Sequence, residues 1–316
     1  MRSIVILAAT AASLFAQLPA PNDAGVSLGH VHLMVTDPEA HKKLWVDLLG
    51  GEIVHKGSLE MIKFPGIYIV AGKARAAVEG SDGSTIDHFG FVVPSYSEIK
   101  AKLTALNLSF VPDNPANKQV TASFPDKIKV EFTEDPNVKK TTMHHIHLAT
   151  PNPEKIRDWY VKMFGAKAGV RGQFLAATLP GGQINTRPAE KAPAPSKGRA
   201  LDHIGFEVKN LDAFCKKLQA EGITLDMPYR EMPQLGGLKI AFLTDPEGTR
   251  IELTEGVLEL VGPGHRVHVW GVPYLPQALA MPVDSAGLRG PYRRSDGVTV
   301  DQVLTPTGWL GRTLGG

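Results

Sequence analysis

The chain has 316 residues and a formal net charge of +2, from 34 Lys and Arg against 32 Asp and Glu, a length that suggests about two domains of ~150 residues. Its 43% hydrophobic and 21% charged residues are ordinary for a globular protein, which excludes wholesale disorder and a fibrous repeat, and the balance of charge gives no basic surface for nucleic acid. A single cysteine, Cys215, excludes an intrachain disulfide and a Cys-based zinc or iron–sulfur site, so any metal must be held by His, carboxylate or amide groups.

Met1-Arg2 gives a short positive start, and Ser3 to Phe15 is apolar without a charge. That run is shorter than the ~20 residues that span a bilayer, and small residues follow it, with Ala16 and Ala20 as candidate cleavage points. Residues 1–20 therefore read as a signal peptide, and the expectation is an exported protein, periplasmic or secreted. No other window is apolar enough to span a membrane.

After the leader the chain repeats itself. LGHVHLMVTDPEAHKKLWVDLLGG from Leu28 resembles MHHIHLATPNPEKIRDWYVKMFGA from Met143, an offset of 115 that carries His30 to His145 and His32 to His147. The same offset carries IDHFGFVV onto LDHIGFEV, so that His88 maps to His203. It slips to 121 by Glu131 and Glu252, which places an insertion near MPYREMPQLGG. A weaker shift of 58 takes His30 to His88 and His145 to His203. Four units of roughly 55 residues follow from these spacings.

Each unit changes periodicity in one order. GHVHLMV alternates as a half-buried strand does; Asp37-Pro38 opens a helical stretch with Leu44, Trp45, Leu48 and Leu49 on one face, and Gly50-Gly51 ends it. Short β-rich runs follow, near 52–55, 59–64 and 67–71. The second unit predicts a helix from about Ser97 to Leu106 and strands near 120–124 and 128–133. The fold class is α+β: four βαβββ modules paired in chain order into two domains, 25–137 and 142–256, each a curled mixed sheet with its helices outside. Arg187–Ala200 is a proline-rich connection, and 257–316 is a Gly- and Pro-rich tail expected to be extended, draped over the domains or disordered.

Residues two apart on a strand share a face. Val31, Leu33 and Val35 form the apolar set of the first strand, so His30, His32 and Met34 point the other way. By the same parity His88 and Gly90 face away from the helices, as do Glu131, His145 with His147, His203 with Gly205, and Glu252. Curling each sheet brings two imidazoles and one carboxylate together, a donor set that suits iron(II) and also admits manganese, nickel, cobalt or zinc. Grouped by domain, the expected metal ligands are His30, His88 and Glu131 in the first half, and His145, His203 and Glu252 in the second. His32 and His147, each two residues from a ligand, are candidate acid–base groups because an imidazole titrates near neutrality. Lys42-Lys43 and Lys139-Lys140 read as solvated charge, Cys215 as helix packing, and His265 and His268 in the tail have no third ligand nearby.

The opening LGHVHLMVTDPE…LLGG and the ending LTDPEGTRIELTE resemble the vicinal oxygen chelate superfamily, which includes glyoxalase I, extradiol dioxygenases, epimerases and bleomycin- or fosfomycin-resistance proteins. The resemblance covers about Leu28 to Glu255 and implies paired βαβββ modules around a metal that binds adjacent substrate oxygens, with ligands at the six positions already named. A glyoxalase I-like site implies a fourth ligand from the last strand of a module. IYIVAG offers no carboxylate there, and Gln183 or Asn185 is the nearest candidate in the second half. Three ligands match the dioxygenase pattern, although Phe242 stands where ring-cleaving relatives carry Tyr and no His lies between His203 and Glu252. The expected function is a metal-dependent, dioxygenase-like enzyme acting on a small substrate with vicinal oxygens. The alternatives are a glyoxalase-type lyase or isomerase, and a binding protein of the resistance type without turnover.

Overall fold

The computed structural model describes residues 18–257 and, in the tail, 283–284, 287–293, 299–305 and 308–313. Most of the signal-peptide segment, and His265 and His268, lie outside the described residues. No helix among the described residues is long and apolar enough to cross a membrane.

Four modules recur in chain order. The first contains β1 (Val26–Val35), α1 (Pro38–Lys43) continued by a wider π-helical turn (Leu44–Leu48), β2 (Glu52–Lys56), β3 (Leu59–Phe64) and β4 (Ile67–Lys73). Next come β5 (Ile86–Val93), α2 (Tyr96–Ala105), β6 (Ser109–Asn114), β7 (Gln119–Phe124) and β8 (Ile128–Glu134). The third has β9 (Thr142–Thr150), α3 (Pro153–Phe164), β10 (Lys167–Arg171), β11 (Phe174–Leu179) and β12 (Gly182–Pro188). The fourth has β13 (Leu201–Val208), α4 (Leu211–Ala220), β14 (Leu225–Met232), β15 (Leu238–Thr244) and β16 (Arg250–Glu255). Local chemistry sets the helix boundaries. Asp37 accepts from the backbone N–H groups of Glu39 and Ala40 ahead of Pro38, and Ser95 and Asn210 cap α2 and α4 in the same way. Gly165 ends α3 in the left-handed region, at φ 66°.

The pairing of modules departs from chain order. One eight-stranded sheet runs β14-β15-β16-β13-β1-β4-β3-β2 and joins the first module to the fourth; the other runs β10-β11-β12-β9-β5-β8-β7-β6 and joins the second to the third. The antiparallel seams are β1 with β13, where His32 faces His203, and β5 with β9, where His88 faces His147. The halves 25–137 and 142–256 therefore each contribute one module to both sheets, and neither closes a sheet of its own.

Aromatic packing explains why each half still reads as a unit. Trp45, fully buried, contacts Phe64 of its own module and Phe89, Phe91 and Phe124 of the second. In the other half Tyr160 and Phe164 on α3 meet Phe206 on β13, and Phe164 also meets Phe214 on α4. Helix-side apolar faces thus close within each sequence half, while the opposite sheet faces close across halves. Val31, Leu33 and Val35 lie in the core, as their alternation predicts.

The six-residue insertion falls where the slip in the repeat puts it. Thr121 pairs with Glu131 and Phe242 with Glu252, so the 121-residue offset is established by β15. In the tail, β17 (Val283–Asp284), β18 (Gly287–Arg293), β19 (Thr299–Thr305) and β20 (Gly308–Thr313) form an antiparallel four-stranded meander. The tail's composition gave no sign of that regularity.

Candidate metal centres

The swap of modules regroups the predicted ligands. His30 on β1 meets His203 and Glu252, and His88 meets Glu131 and His145. Parity placed all six side chains on the inner faces correctly. The grouping by half, with His30 beside His88 and His145 beside His203, is overturned because the seams run β1–β13 and β5–β9.

In the first centre, β1, β13 and β16 are neighbours. His30 lies across from Gly205, and Gly205 lies across from Glu252. His203, two residues from Gly205 on the same face, completes the set. Nε2 of His30 lies 3.0 Å and Nε2 of His203 2.9 Å from the same oxygen, Oε2 of Glu252. A β-carbon on Gly205 would overlap the His30 ring, so glycine is what lets the imidazole lie against that strand. Behind His203, Nδ1 donates to Asp202 Oδ1 at 2.5 Å, and Arg250 Nη1 donates to the same oxygen at 2.7 Å. This carboxylate–imidazole pair fixes the ring with Nε2 turned inward, as supporting groups do at metal sites.

Electrostatics sharpen the picture. Burial pushes the Glu252 carboxyl up, but hydrogen bonds from His203 and His30 outweigh it and hold the group below the usual carboxylate range. Burial alone would lower His203, yet its bonds to Asp202 and Glu252 raise it. His32 belongs to the same compact group, within 4.8 Å of His30, His203 and Glu252. Burial, then the neighbouring His203, lowers it to about 3. His147 is lowered to about 3 by burial and then His88. Neither candidate acid–base histidine titrates near neutrality; both stand as neutral imidazoles.

A cavity of about 260 Å³ opens over the first centre. Met34, Met61, Val70, Ile240 and Phe242 supply its apolar walls, with the three imidazoles, Asp202 and Glu252 on the polar side. Phe242 carries no hydroxyl, and its ring stands 5.3 Å from His203 and under the Arg250 guanidinium at 4.4 Å. Val70 of β4 pairs with His32, so the last strand of this module offers an alkyl group where a fourth ligand would stand.

The second centre has the same plan with different company. His88 Nε2 lies 3.3 Å from Glu131 Oε2, His145 Nε2 lies 3.6 Å from Oε1, and the two Nε2 atoms are 3.5 Å apart. Asp87 holds His88 Nδ1 at 2.7 Å, as Asp202 holds His203. The compact group here comprises His88, His145 and His147, without the carboxylate. Arg171, at the end of β10, donates from Nη1 to His145 Nδ1 and brings Nη2 within 3.7 Å of Glu131. Gln183 and Asn185 pair with His145 and His147, and the buried Asn185 amide has no hydrogen-bond partner among the described residues.

Sequence reasoning missed Asp87, Asp202 and their basic partners. Each Asp directly precedes a candidate ligand His, and Lys129 and Arg250 each lie two residues before a candidate ligand Glu. Lys129 reaches Asp87 at 2.7 Å, so an Asp-His dipeptide paired with Lys/Arg-x-Glu was the readable signal.

The donor set of the first centre fits a divalent cation. Two imidazole nitrogens converge on one buried carboxylate oxygen, which is the arrangement a cation would bridge.

Comparison with known proteins agrees with the architecture. A family-level sequence profile described as "Glyoxalase/Bleomycin resistance protein/Dioxygenase superfamily" matches residues 142–253. A Bacillus subtilis protein titled "putative dioxygenase" superposes with a TM-score of 0.57 at 16% identity, covering 76% of this chain and 86% of its own. Glyoxalase I from Zea mays superposes with a TM-score of 0.57 at 12% identity, covering 73% of this chain and 92% of its own. These superpositions establish a shared fold. Residues 142–253 thus match the Glyoxalase/Bleomycin resistance protein/Dioxygenase superfamily, in agreement with the resemblance of the chain's motifs to the vicinal oxygen chelate group.

Proposed function

We propose that the protein is a metal-dependent enzyme that binds a small substrate through adjacent oxygens at His30, His203 and Glu252, with dioxygenase-like chemistry. The observation that carries this reading is the convergence of two imidazole Nε2 atoms, at 3.0 and 2.9 Å, on one carboxylate oxygen beneath a cavity of about 260 Å³. A divalent cation held there, with iron(II) as the first choice, would act as a Lewis acid toward two neighbouring substrate oxygens and leave positions open for water or oxygen.

The chain's own residues define the remaining roles. Glu252 supplies the negative charge, and Asp202 orients His203. His32, on the ligand face and neutral, is placed to accept a proton or hydrogen bond from a substrate oxygen. Met34, Met61, Val70, Ile240 and Phe242 exclude water from an apolar substrate body. Three protein ligands and an alkyl group at the fourth place favour oxygenase chemistry over the lyase or isomerase reading.

Anaerobic purification with elemental analysis tests this, followed by oxygen-uptake assays of the iron-loaded protein with catechols and keto acids. Oxygen consumption that depends on Glu252 is the expected result. Tightly held zinc or nickel without oxygen uptake would instead indicate a lyase or isomerase, and absence of metal under every loading a binding protein. The apolar leader leads us to propose export; fractionation showing the full-length chain in the cytosol would oppose that.

A further inference from the structure

The two centres share topology and ligand types yet differ in charge. Around the first, Glu252 and Asp202 face the cationic Arg250, leaving an excess of one negative charge among the groups described. Around the second, Glu131, Asp87 and Asp82 face Arg171, Lys129 and Arg187, and the charges balance. Buried charge of one sign invites an ion of the other and repels its own.

Arg171 makes the difference. It ends the edge strand β10, and the 115-residue offset relates it to Lys56 at the end of β2, which runs beside Gly236 and Gly256. The Arg171 guanidinium instead enters the ligand set, touching both a ligand nitrogen and the ligand carboxylate. Its donation to Nδ1 of His145 fixes that ring's proton on Nε2, the nitrogen a metal would need. Glu131, whose Oε1 accepts from Thr133 Oγ1 at 3.2 Å and lies 3.7 Å from Arg171 Nη2, stands outside the compact imidazole group, whereas Glu252 stands inside its own. The uncharged Asn185 amide and His147 do not alter this balance.

We propose that Arg171 takes the place of the cation in the second centre, so that the two sheets together bind one divalent ion and not two. The second centre is then a charge-satisfied counterpart in which a guanidinium ties His145 and Glu131 together. This deepens the proposed function by assigning metal to one centre, and rests on that reading only for the first centre.

Cobalt(II) titration, followed by visible absorption and equilibrium dialysis, tests the proposal on the full chain. The wild type is expected to bind about one equivalent, and Arg171→Leu about two. Arg171→Lys, which keeps a cation at the site, should stay at the wild-type value. His203→Ala with Arg171→Leu should retain about one equivalent, now in the second centre. Arg171 is partly exposed at a strand end, and Arg171→Gln serves if the leucine variant fails to fold. Two equivalents in the wild type, or no gain in either neutral variant, would overturn the proposal. If the wild type binds none and the neutral variants gain one, the first-centre reading fails and the role of Arg171 stands.

Discussion

His30 and Gly205 are cross-strand neighbours, and the ring of one occupies the space a β-carbon on the other would fill. The same relationship holds between His145 and Gly90 in the second sheet. Glycine at these positions is therefore a condition for the imidazole's pose. Gly205→Ala should push His30 off its position and weaken metal binding by roughly 100-fold or more, while leaving the helix-side core intact. Gly90→Ala should disturb the second sheet and leave metal uptake unchanged. Cobalt titration of both variants checks this; a Gly205→Ala protein with wild-type affinity would show that His30 is not a ligand.

His32 raises a separate question, because it sits close enough to join the ligands and far enough along β1 to act on substrate. The apolar walls and the pairing with Val70 favour contact with substrate. On that argument His32→Ala should keep the metal stoichiometry of the wild type and lower turnover by about 10-fold, the cost of one lost hydrogen bond to the substrate. Loss of metal together with activity would make it a fourth ligand.

How much of this was legible in the sequence depends on the range of the interaction. Strand parity is local, so the inner-face placement of His30, His88, Glu131, His145, His203 and Glu252 could be read from alternation alone. The helix start at Asp37 was local as well, and the caps at Ser95 and Asn210, which sequence reasoning missed, are equally local signals. Which module pairs with which is not local: the strands opening all four modules resemble one another, and nothing in β1 distinguishes β5 from β13 as its neighbour. Proximity in the chain suggested the wrong partner. Arg171 was invisible for a related reason, since its importance comes from reaching β9 and β8 from an edge strand, a contact that spacing does not encode. Asp87 and Asp202, by contrast, were readable beside their histidines.

Outside the site, His41 gives the protein a pH dependence with a definite sign. It is fully buried on α1, bonds Asp126 through Nε2 at 3.2 Å and has no partner for Nδ1 among the described residues. Burial lowers its folded value below 6.5, and the charge of Asp126 only partly opposes this. Between that lowered value and 6.5 the unfolded chain holds a proton that the folded chain refuses, so stability is full above 6.5 and declines as pH falls. The slope from this group is at most about 1.4 kcal/mol per pH unit. Urea denaturation at about pH 7.5 and about pH 5.5 should show a smaller acid loss for His41→Gln than for the wild type. An equal loss in both proteins would assign the acid sensitivity elsewhere.

The cross-half pairing of sheets makes the strongest demand on the chain. If the first centre needs β1 from one half and β13 and β16 from the other, then residues 18–139 and 140–257 expressed separately each carry an incomplete ligand set. Each half also exposes the strands that form the seams, and an open strand edge of that kind promotes self-association. The aromatic clusters around Trp45 and around Tyr160 lie within single halves, so each fragment keeps much of its helix-side core and has a reason to remain partly folded. Mixing the two should rebuild both seams and bring His30 to His203 and Glu252. Neither fragment alone should take up cobalt as a monomer, and the mixture should recover the stoichiometry of the intact chain, read by titration after size-exclusion chromatography. Metal bound by a monomeric 18–139 fragment would require His30 to meet His88 and Glu131, a meeting that the seams of the intact chain do not make.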